Sequence, residues 1–350
     1  VRALFPMAIS PAANMKRRQF LQHATAVAAM PLLGACSGDD PVVQIDSRLP
    51  VGPFGAESTA EEVTRGMDLA GKVALVTGCN SGLGYETMRV LALRGAHVLG
   101  TGRSLEKASK ACASVSGQTT PLVLELSSLQ SAVDCARAVG DLNLSPDILV
   151  CNAGINTFGD LELVNGIEKM FLVNFLGHFV LVNHLLPLMQ QAPPGRIVHV
   201  GSRSAYTKAP QTGIDFDNLR GEKEFDAEEA YGRSKLANAL FSLELAKRLE
   251  GSGVTSNVIH PGLVKTSIAR TAPALVRVAF DMFGGIIAKT PAQGAATQVY
   301  VATHSIVEGV NGAYFEDCNP VTVSGDHHIF DEPMAARLWA TAEDMAQGYL

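Results

Sequence analysis

The sequence predicts a single doubly wound α/β domain, in which helices cover both faces of a parallel sheet of roughly seven strands. First, short apolar runs alternate with helix-periodic stretches about seven times, which requires crossover connections and parallel strands. Second, glycines cluster where the first apolar run meets the first helical stretch. Third, a chain of 350 residues with 47% hydrophobic and 18% charged residues suits a globular protein with a sizeable core.

The predicted strands are short apolar runs ending in glycine or polar residues, as in sheets buried on both faces. They are residues 71–77, 97–102, 120–126, 147–154, 196–202, 254–262 and 312–315. The predicted helices share apolar residues at helical spacing. They are residues 83–94, 105–115, 129–139, 167–188 and 230–250. These elements predict one domain over residues 68–350.

The charge balance argues against a nucleic-acid partner. The formal net charge is −6, and residues 1–35 hold four bases and no acids, so the remainder has 24 bases against 34 acids, or −10. Binding to phosphate backbones needs clustered Lys and Arg. No apolar run reaches the roughly 18–20 residues needed to span a bilayer, so we expect a soluble body.

Residues 15–36 read as an export prefix. Lys16, Arg17 and Arg18 form a positive region before an apolar stretch, residues 24–35, that is too short to span a membrane. The arginine pair and "QFL" resemble a twin-arginine signal, and "LGAC", ending at Cys36, resembles a bacterial lipobox. The prefix therefore predicts lipid-anchored export to the periplasm or cell envelope.

A cytoplasmic protein with a disordered basic tail is the alternative. Met15 is a natural initiator, so residues 1–14 would then be a misread start. Residues 36–67 are rich in Gly, Pro, Ser and Asp without sustained periodicity, and they predict a lipid-anchored or disordered tether.

The first strand-to-helix turn is "TGCNSGLG", residues 77–84, with glycines at 78, 82 and 84. Glycine lets the backbone turn sharply and approach a pyrophosphate, while the helix N-terminus supplies free N–H groups and a positive dipole end. The spacing departs from the Gly-x-Gly-x-x-Gly of the general dinucleotide fingerprint.

This spacing resembles the short-chain dehydrogenase/reductase family, which has a Rossmann-type fold, and five further motifs agree in order. They are "CNAG" (151–154), "VNFLGH" (173–178), "VGS" (200–202), "YGRSK" (231–235) and "HPGLVKT" (260–266). The stretches "YGRSKLANALFSLELAKRL" and "YFEDC" are most similar to the retinol-dehydrogenase branch. The resemblance covers roughly residues 70–340.

The resemblance implies a set of residues that contact a nicotinamide dinucleotide. They are Gly78, Asn80, Ser81, Gly82, Leu83, Gly84, Arg103, Glu125, Leu126, Asn152, Ala153, Gly154, Tyr231, Lys235, Pro261, Gly262, Val264 and Thr266. Glu125 stands where relatives usually carry aspartate near the adenine amine, so this sequence departs from the pattern there.

Tyr231 and Lys235 are four residues apart on one predicted helix and share a face. A neighbouring ammonium should stabilise phenolate and move the tyrosine pKa towards neutral pH, where general acid–base catalysis is most effective. Ser202 is the predicted hydroxyl that orients the substrate oxygen, with Ser204 as its rival. The resemblance implies that Lys235 also bonds the nicotinamide ribose and that Asn174 holds a water linking Lys235 to solvent. The structural alternative for Asn174 is an amide bonded to backbone.

Arg103 follows Gly102 at the end of the second predicted strand. A carboxylate there would accept bonds from an unmodified ribose and repel a 2′-phosphate. Arginine instead offers a planar donor fork suited to phosphate, so the sequence favours NADP(H) over NAD(H). An exposed arginine at a helix start is the structural alternative.

The predicted function is NADP(H)-dependent interconversion of an alcohol and a carbonyl on a hydrophobic small molecule, resembling a retinol dehydrogenase. The alternatives are a nucleotide-retaining binding protein without turnover and a redox-neutral epimerase or dehydratase. Apolar residues 267–290 predict the closure of a hydrophobic pocket, with Gly284–Gly285 as hinge, or a homo-oligomer interface. An exported enzyme of this kind would travel folded, with its nucleotide already bound.

The remaining cysteines and histidines predict neither a disulfide framework nor a metal site. Apart from Cys36, five cysteines without regular spacing remain. His327 and His328 have no partner at useful ligand spacing, and we expect them in an exposed loop.

Overall fold

A mixed sheet runs through the part of the chain that the structure describes. The computed structural model describes residues 41–191, 193–264 and 288–350. The sheet strands are β1 (Val43–Ile45), β2 (Val73–Val76), β3 (His97–Gly102), β4 (Thr119–Val123), β5 (Ile148–Cys151), β8 (Gly195–Val200), β9 (Val254–His260), β10 (Tyr314–Glu316) and β11 (Asn319–Val323). A separate two-stranded hairpin pairs β6 (Leu163–Val164) with β7 (Ile167–Glu168).

Seven neighbouring strands are parallel, in the order β10-β9-β8-β5-β2-β3-β4. The order reverses between β2 and β5, so the carboxyl ends of these two strands flank the crevice in which doubly wound sheets bind ligands. The predicted fold class and its seven parallel strands are therefore confirmed.

Two antiparallel strands extend one edge of the sheet. β11 returns from β10 through a tight turn in which Asp317 and Cys318 have φ of 49° and 62°, as a type I′ turn requires. β1 then pairs with β11, Val43 opposite Val323. Neither strand is predicted from the sequence, because three to five residues are too few to show a period.

Ten helical segments connect or flank the strands among the described residues. They are α1 (Ala60–Val63), α2 (Gly82–Leu93), α3 (Leu105–Ala113), α4 (Leu129–Asp141), α5 (Lys169–Gln190), α6 (Ser204–Thr207), α7 (Ala227–Arg248), α8 (Pro291–Gly294), α9 (Ala296–Thr303) and α10 (Glu332–Met345). Short 3-10 turns cover Phe216–Asn218 and Ser305–Val307.

The helices form two separate apolar cores, one on each face of the sheet. Leu75 of β2 faces the core formed with α4, α5, α7 and α10, whereas Val76 faces the core formed with α1, α2, α3 and α9. Successive strand residues point to opposite faces, so a strand buried on both faces must be apolar throughout. The sequence of β2, "VALV", meets this requirement.

Residues 41–67 differ from the predicted tether, since β1 joins the sheet and α1 packs near α9. Thr59 and Glu62 form a capping box, in which each side chain bonds the other residue's backbone N–H. The four-residue helix is too short to give a periodic signal. The prefix, residues 15–36, lies outside the described residues, as do Thr266 and residues 267–287 of the predicted pocket segment.

Helix α5 contains a π-helical turn, Leu172–Leu176, whose last bond joins the Gly177 N–H to the carbonyl oxygen of Leu172. By length and composition alone α5 could cross a membrane, contrary to the expectation from the sequence. However, 72% of its most apolar window is buried inside the protein. The apolar composition of α5 is therefore explained by its position as the core helix of the domain.

Candidate active site

The glycine-rich turn between β2 and α2 leaves no room for side chains at two positions. Gly78 has φ of +75°, which favours glycine. A Cβ at Gly84 would collide with the side-chain nitrogen of Asn152 and with the carbonyl oxygen of Gly78. The first turn of α2 carries no acidic side chain that would neutralise the positive end of the helix dipole. This cradle fits a pyrophosphate.

Arg103 directly follows β3, the strand that pairs with β2, and therefore lies at the same edge of the sheet as the glycine-rich turn. Arg103 is exposed and forms no ion pair with any described residue, so its guanidinium is available to a ligand. The carboxylate of Glu125 accepts bonds from the backbone and hydroxyl of Ser127, at 3.1 and 2.8 Å. The side chain of Leu126 is buried in the core, which leaves only its backbone for a cofactor.

The segment after β5 is held against the end of β2. The hydroxyl oxygen of Thr77 accepts bonds from the backbone N–H groups of Asn152 and Ala153, at 2.9 and 2.8 Å. The amide of Asn152 donates to the Thr77 carbonyl oxygen at 2.8 Å. These bonds fix two of the predicted cofactor contacts at the switch point of the sheet.

Ser202, Tyr231 and Lys235 converge where β8 meets α7. Asp226 caps α7 by accepting from the Glu229 N–H at 2.9 Å, and the helix then carries Tyr231 and Lys235 on one face. The Lys235 Nζ donates to the Val200 carbonyl oxygen at 2.9 Å and lies 5.8 Å from the centre of the Tyr231 ring. The structure therefore brings the predicted catalytic side chains together.

Ser202 rather than Ser204 acts on the pKa of the Tyr231 phenol. Burial raises the pKa of Tyr231 to about 12, and the hydrogen bond with Ser202 lowers it by less. The Ser202 hydroxyl also donates to the Ser204 hydroxyl and accepts from the Ser204 N–H, each at 3.2 Å. Ser204 thus supports Ser202, and Ser202 is the one of the two that lowers the pKa of the phenol.

The pKa of Tyr231 moves away from neutrality, contrary to the shift predicted from its spacing to Lys235. Lys235 is 3% exposed, and burial lowers the pKa of its ammonium to about 8. Its nearest partner is the Val200 carbonyl oxygen rather than the phenol. In this arrangement burial of the phenol dominates its pKa, so Tyr231 holds its proton at neutral pH.

Asn174 lies in the π-helical turn, and its side chain is bonded to protein at both ends. Its Oδ1 accepts from the Ile155 N–H at 2.8 Å, and its Nδ2 donates to the Ile155 carbonyl oxygen and to the Ser234 hydroxyl, each at 2.9 Å. These bonds match the alternative prediction for Asn174, an amide bonded to backbone. A Cβ at Gly154 would lie 3.1 Å from the Asn174 Oδ1 and 3.6 Å from the Lys235 Nζ, so a glycine keeps this corner open.

The predicted contacts after β9 are only partly described. Gly262 has φ of +87° and lies under the aliphatic part of Lys289. Val264 is buried and forms a bridge with Lys289. Pro261 is partly buried beside them, whereas Thr266 lies outside the described residues. Of the remaining turn residues, Asn80 and Ser81 are exposed and Leu83 is partly buried.

Sequence reasoning missed a charged cluster beside Ser202. Glu316, 3% exposed at the end of β10, accepts from the Tyr206 hydroxyl at 2.5 Å and from the Arg203 Nε at 2.8 Å. Burial and the bond to Glu316 both raise the pKa of Tyr206, in that order of size. The only available signal was the acidic pair in "YFEDC", and nothing in the sequence points from it to Arg203.

Cysteines and the histidine pair play no part in this site. The five cysteines of the described residues, Cys79, Cys112, Cys135, Cys151 and Cys318, are buried and unpaired. His327 bonds the Val323 carbonyl oxygen at 2.7 Å and His328 bonds Asp331 at 3.0 Å. Both are partly buried rather than exposed in a loop, because these contacts dock them onto the domain. Across the described residues, no group of three or more His, Cys, Asp or Glu side chains could hold a metal.

Comparisons with known proteins agree with this geometry. Residues 72–214 match the family model described as short chain dehydrogenase. Human "Retinol dehydrogenase 14" is 36% identical over 345 residues, covering 92% of this chain and 98% of that protein. A solved structure from Mycobacterium paratuberculosis has a TM-score of 0.64 at 29% identity and covers 81% of this chain and 97% of its own. The RhlG/NADP complex of Pseudomonas aeruginosa has a TM-score of 0.56 at 28% identity, covering 71% and 95%.

Proposed function

Because the chain belongs to the short-chain dehydrogenase/reductase family, we propose that it interconverts an alcohol and a carbonyl on a hydrophobic small molecule, with NADP(H) as its preferred cofactor. The chain is an oxidoreductase with retinol-dehydrogenase-like relatives, and the family binds NAD(P). The observation that carries the proposal is the convergence of the Ser202 hydroxyl, the Tyr231 phenol and the Lys235 ammonium beside Gly154.

In carbonyl reduction, Tyr231 supplies the proton. Its pKa of about 12 keeps the phenol protonated at neutral pH, so it is ready to donate to the substrate oxygen. Ser202 orients that oxygen by donating its single hydroxyl proton to it. A nicotinamide held beside these side chains would supply the hydride. The ammonium of Lys235 favours the transient phenolate electrostatically and can bond the ribose.

The preference for NADP(H) rests on Arg103. Its exposed guanidinium has no protein partner among the described residues, and no carboxylate stands at the end of β3 to repel a 2′-phosphate. Planar bidentate donors suit phosphate oxygens. The RhlG neighbour is described as an NADP complex, which is compatible with this choice.

The substrate class rests on the relatives and on the chemistry of the site. A relative is named as a retinol dehydrogenase, and the predicted pocket segment, residues 267–290, is apolar in sequence. We therefore propose apolar aldehydes, ketones and their alcohols as substrates. A homo-oligomer stays a prediction, as does the boundary of the catalytic domain at residue 68.

The location in the cell is a separate proposal. The arginine pair Arg17–Arg18 and Cys36 support export by a twin-arginine route and lipid attachment. An enzyme exported folded would carry its nucleotide with it and recycle that nucleotide in place.

The function is tested by turnover with purified protein. Absorbance near 340 nm is followed after NADPH or NADH is mixed with a panel of straight-chain aldehydes, ketones and retinal. Oxidation of NADPH with apolar carbonyls is expected, with the Tyr231→Phe variant as the control. Bound nucleotide without turnover would indicate a binding protein, and a converted substrate without net absorbance change would indicate a redox-neutral enzyme.

A further inference from the structure

One buried histidine joins the cofactor side of the site to its catalytic side. His178 lies one helical turn after Asn174 on α5 and is 2% exposed. Its Nε2 is 3.0 Å from the Thr77 hydroxyl oxygen, and its Nδ1 is 3.2 Å from the Asn174 carbonyl oxygen. The ring therefore spans the gap between the end of β2 and the π-helical turn.

The bonds around Thr77 determine which ring nitrogen carries the proton. The hydroxyl oxygen already accepts two backbone N–H groups, those of Asn152 and Ala153, which fill its lone pairs. Its own proton must then point to an acceptor. The His178 Nε2 at 3.0 Å is nearer than the Val150 carbonyl oxygen at 3.4 Å.

With Nε2 as acceptor, the neutral ring carries its proton on Nδ1 and donates to the Asn174 carbonyl oxygen. The opposite tautomer would bring a third N–H to the Thr77 oxygen. It would also set the lone pair of Nδ1 against a carbonyl oxygen. Only the Nδ1–H tautomer satisfies every polar atom in this buried chain of bonds.

This chain of bonds encloses the segment from Asn152 to Ile155. Thr77 holds the start of the segment, and the Asn174 side chain holds Ile155 at its end. His178 connects the two holding residues to each other. We propose that His178, as the Nδ1–H tautomer, is a positioning residue that fixes the nucleotide-binding segment relative to the catalytic turn.

A second buried histidine shows that burial alone does not create such a link. His199 on β8 is 1% exposed and packs against the Phe241 ring at 4.9 Å between centroids. Its Nε2 has no hydrogen-bond partner among the described residues. His199→Phe is therefore a matched control, which removes a buried imidazole without breaking the chain of bonds.

The proposal rests on the proposed function, and its first test is independent of activity. In ¹⁵N-labelled full-length protein at pH 7, correlation spectra of the histidine rings report which nitrogen is protonated, and His178→Phe assigns the signal. We expect a protonated Nδ1 and an unprotonated, accepting Nε2. A protonated Nε2 would overturn the proposal whether or not the protein turns over substrate.

The second test separates the two arms of the ring. His178→Asn places an amide donor near the former Nδ1, and His178→Gln places an amide acceptor near the former Nε2. Because the link needs both arms, each of these variants should both raise the Kd for NADPH and lower kcat, with a combined loss in kcat/KM of about tenfold, as for one lost buried hydrogen bond. His178→Phe, which breaks both arms, should lose at least as much.

The outcomes distinguish this inference from the function it rests on. If the wild-type protein reduces none of the carbonyls tested, the proposed function is contradicted. The ring spectra and the Kd values for NADPH would still test the role of His178. Active wild-type protein with equal behaviour of His178→Phe and His199→Phe would overturn only the role of His178.

Discussion

The Lys235 ammonium nitrogen lies 5.8 Å from the centre of the Tyr231 ring and donates to the Val200 carbonyl oxygen at 2.9 Å. The two side chains share a helix face, as their spacing predicts, but they are neighbours rather than bonded partners. Burial consequently dominates both groups, raising the pKa of Tyr231 to about 12 and lowering that of Lys235 to about 8.

Tyr231→Phe keeps the ring and removes the transferable proton. We expect kcat for carbonyl reduction to fall by about 10²–10⁴-fold, the range of general acid–base catalysis, while the Kd for NADPH stays unchanged. Steady-state kinetics and fluorescence titration measure the two quantities. Tyr300→Phe is the control, because Tyr300 is a buried tyrosine whose hydroxyl has no partner among the described residues. Near-wild-type kcat in Tyr231→Phe would remove the assigned acid.

The pH dependence of reduction should follow Lys235. Its lowered pKa means that the ammonium is present below about 8 and is lost as pH rises through that value. Loss of the ammonium destabilises the developing phenolate, so kcat for reduction should be flat from pH 6 to 7.5 and decline above 8. Alcohol oxidation needs the phenolate and should instead accelerate with pH. In Lys235→Met, the residual reduction rate should show no decline near pH 8, and a persistent decline there would assign it to another group.

Arg103→Asp should change the cofactor preference. It replaces a phosphate-binding fork with a carboxylate that repels a 2′-phosphate and can accept from a ribose hydroxyl. The ratio of Kd values for NADPH and NADH should shift towards NADH by at least about tenfold, or about 1.4 kcal/mol. Arg137→Asp, an exposed arginine on α4, should leave the ratio unchanged. Tighter binding of NADH by the wild-type protein would contradict the argument.

Glu316→Gln tests the cluster beside Ser202. The amide can still accept from Tyr206, but Arg203 loses its charged partner. Because the Arg203 side chain is 53% exposed and can turn to water, we expect the free energy of unfolding to fall by only about 1–2 kcal/mol. Urea unfolding measures this loss. Glu228→Gln breaks an exposed pair with Lys208 at 2.7 Å, the same length as that between Arg203 Nη2 and Glu316, and should cost less than about 1 kcal/mol. Equal losses of unfolding free energy in both variants would show that the burial of Glu316 does not affect stability.

The prefix makes a prediction about the mature protein. Cys36 should carry lipid, and the protein should fractionate with membranes. Replacing Arg17–Arg18 with Lys-Lys preserves charge but not guanidinium geometry, so precursor should accumulate in the cytosol. Cys36→Ser should permit export without anchoring. Mass spectrometry of the N-terminus, from a host that has both pathways, gives the answer. An unprocessed chain in the soluble cytosolic fraction would contradict export.

The sequence alone determined the order of the seven parallel strands along the chain and the glycine turn at the first helix. It also determined that Tyr231 and Lys235 share a face, because four residues of helix fix that relationship locally. These features are encoded by residues within a turn or a strand of each other. Periodicity therefore reveals them without knowledge of distant partners.

Only the tertiary structure decided what each side chain contacts. Glu316 bonds Arg203 across 113 residues, and the hydroxyl of Thr77 meets His178 across 101. The same packing raises the Tyr231 pKa, whereas the sequence predicts a lower one, because the desolvation of a phenolate depends on every element packed against it. Burial and long-range hydrogen bonds arise from the fold as a whole, and no local pattern in the sequence records them.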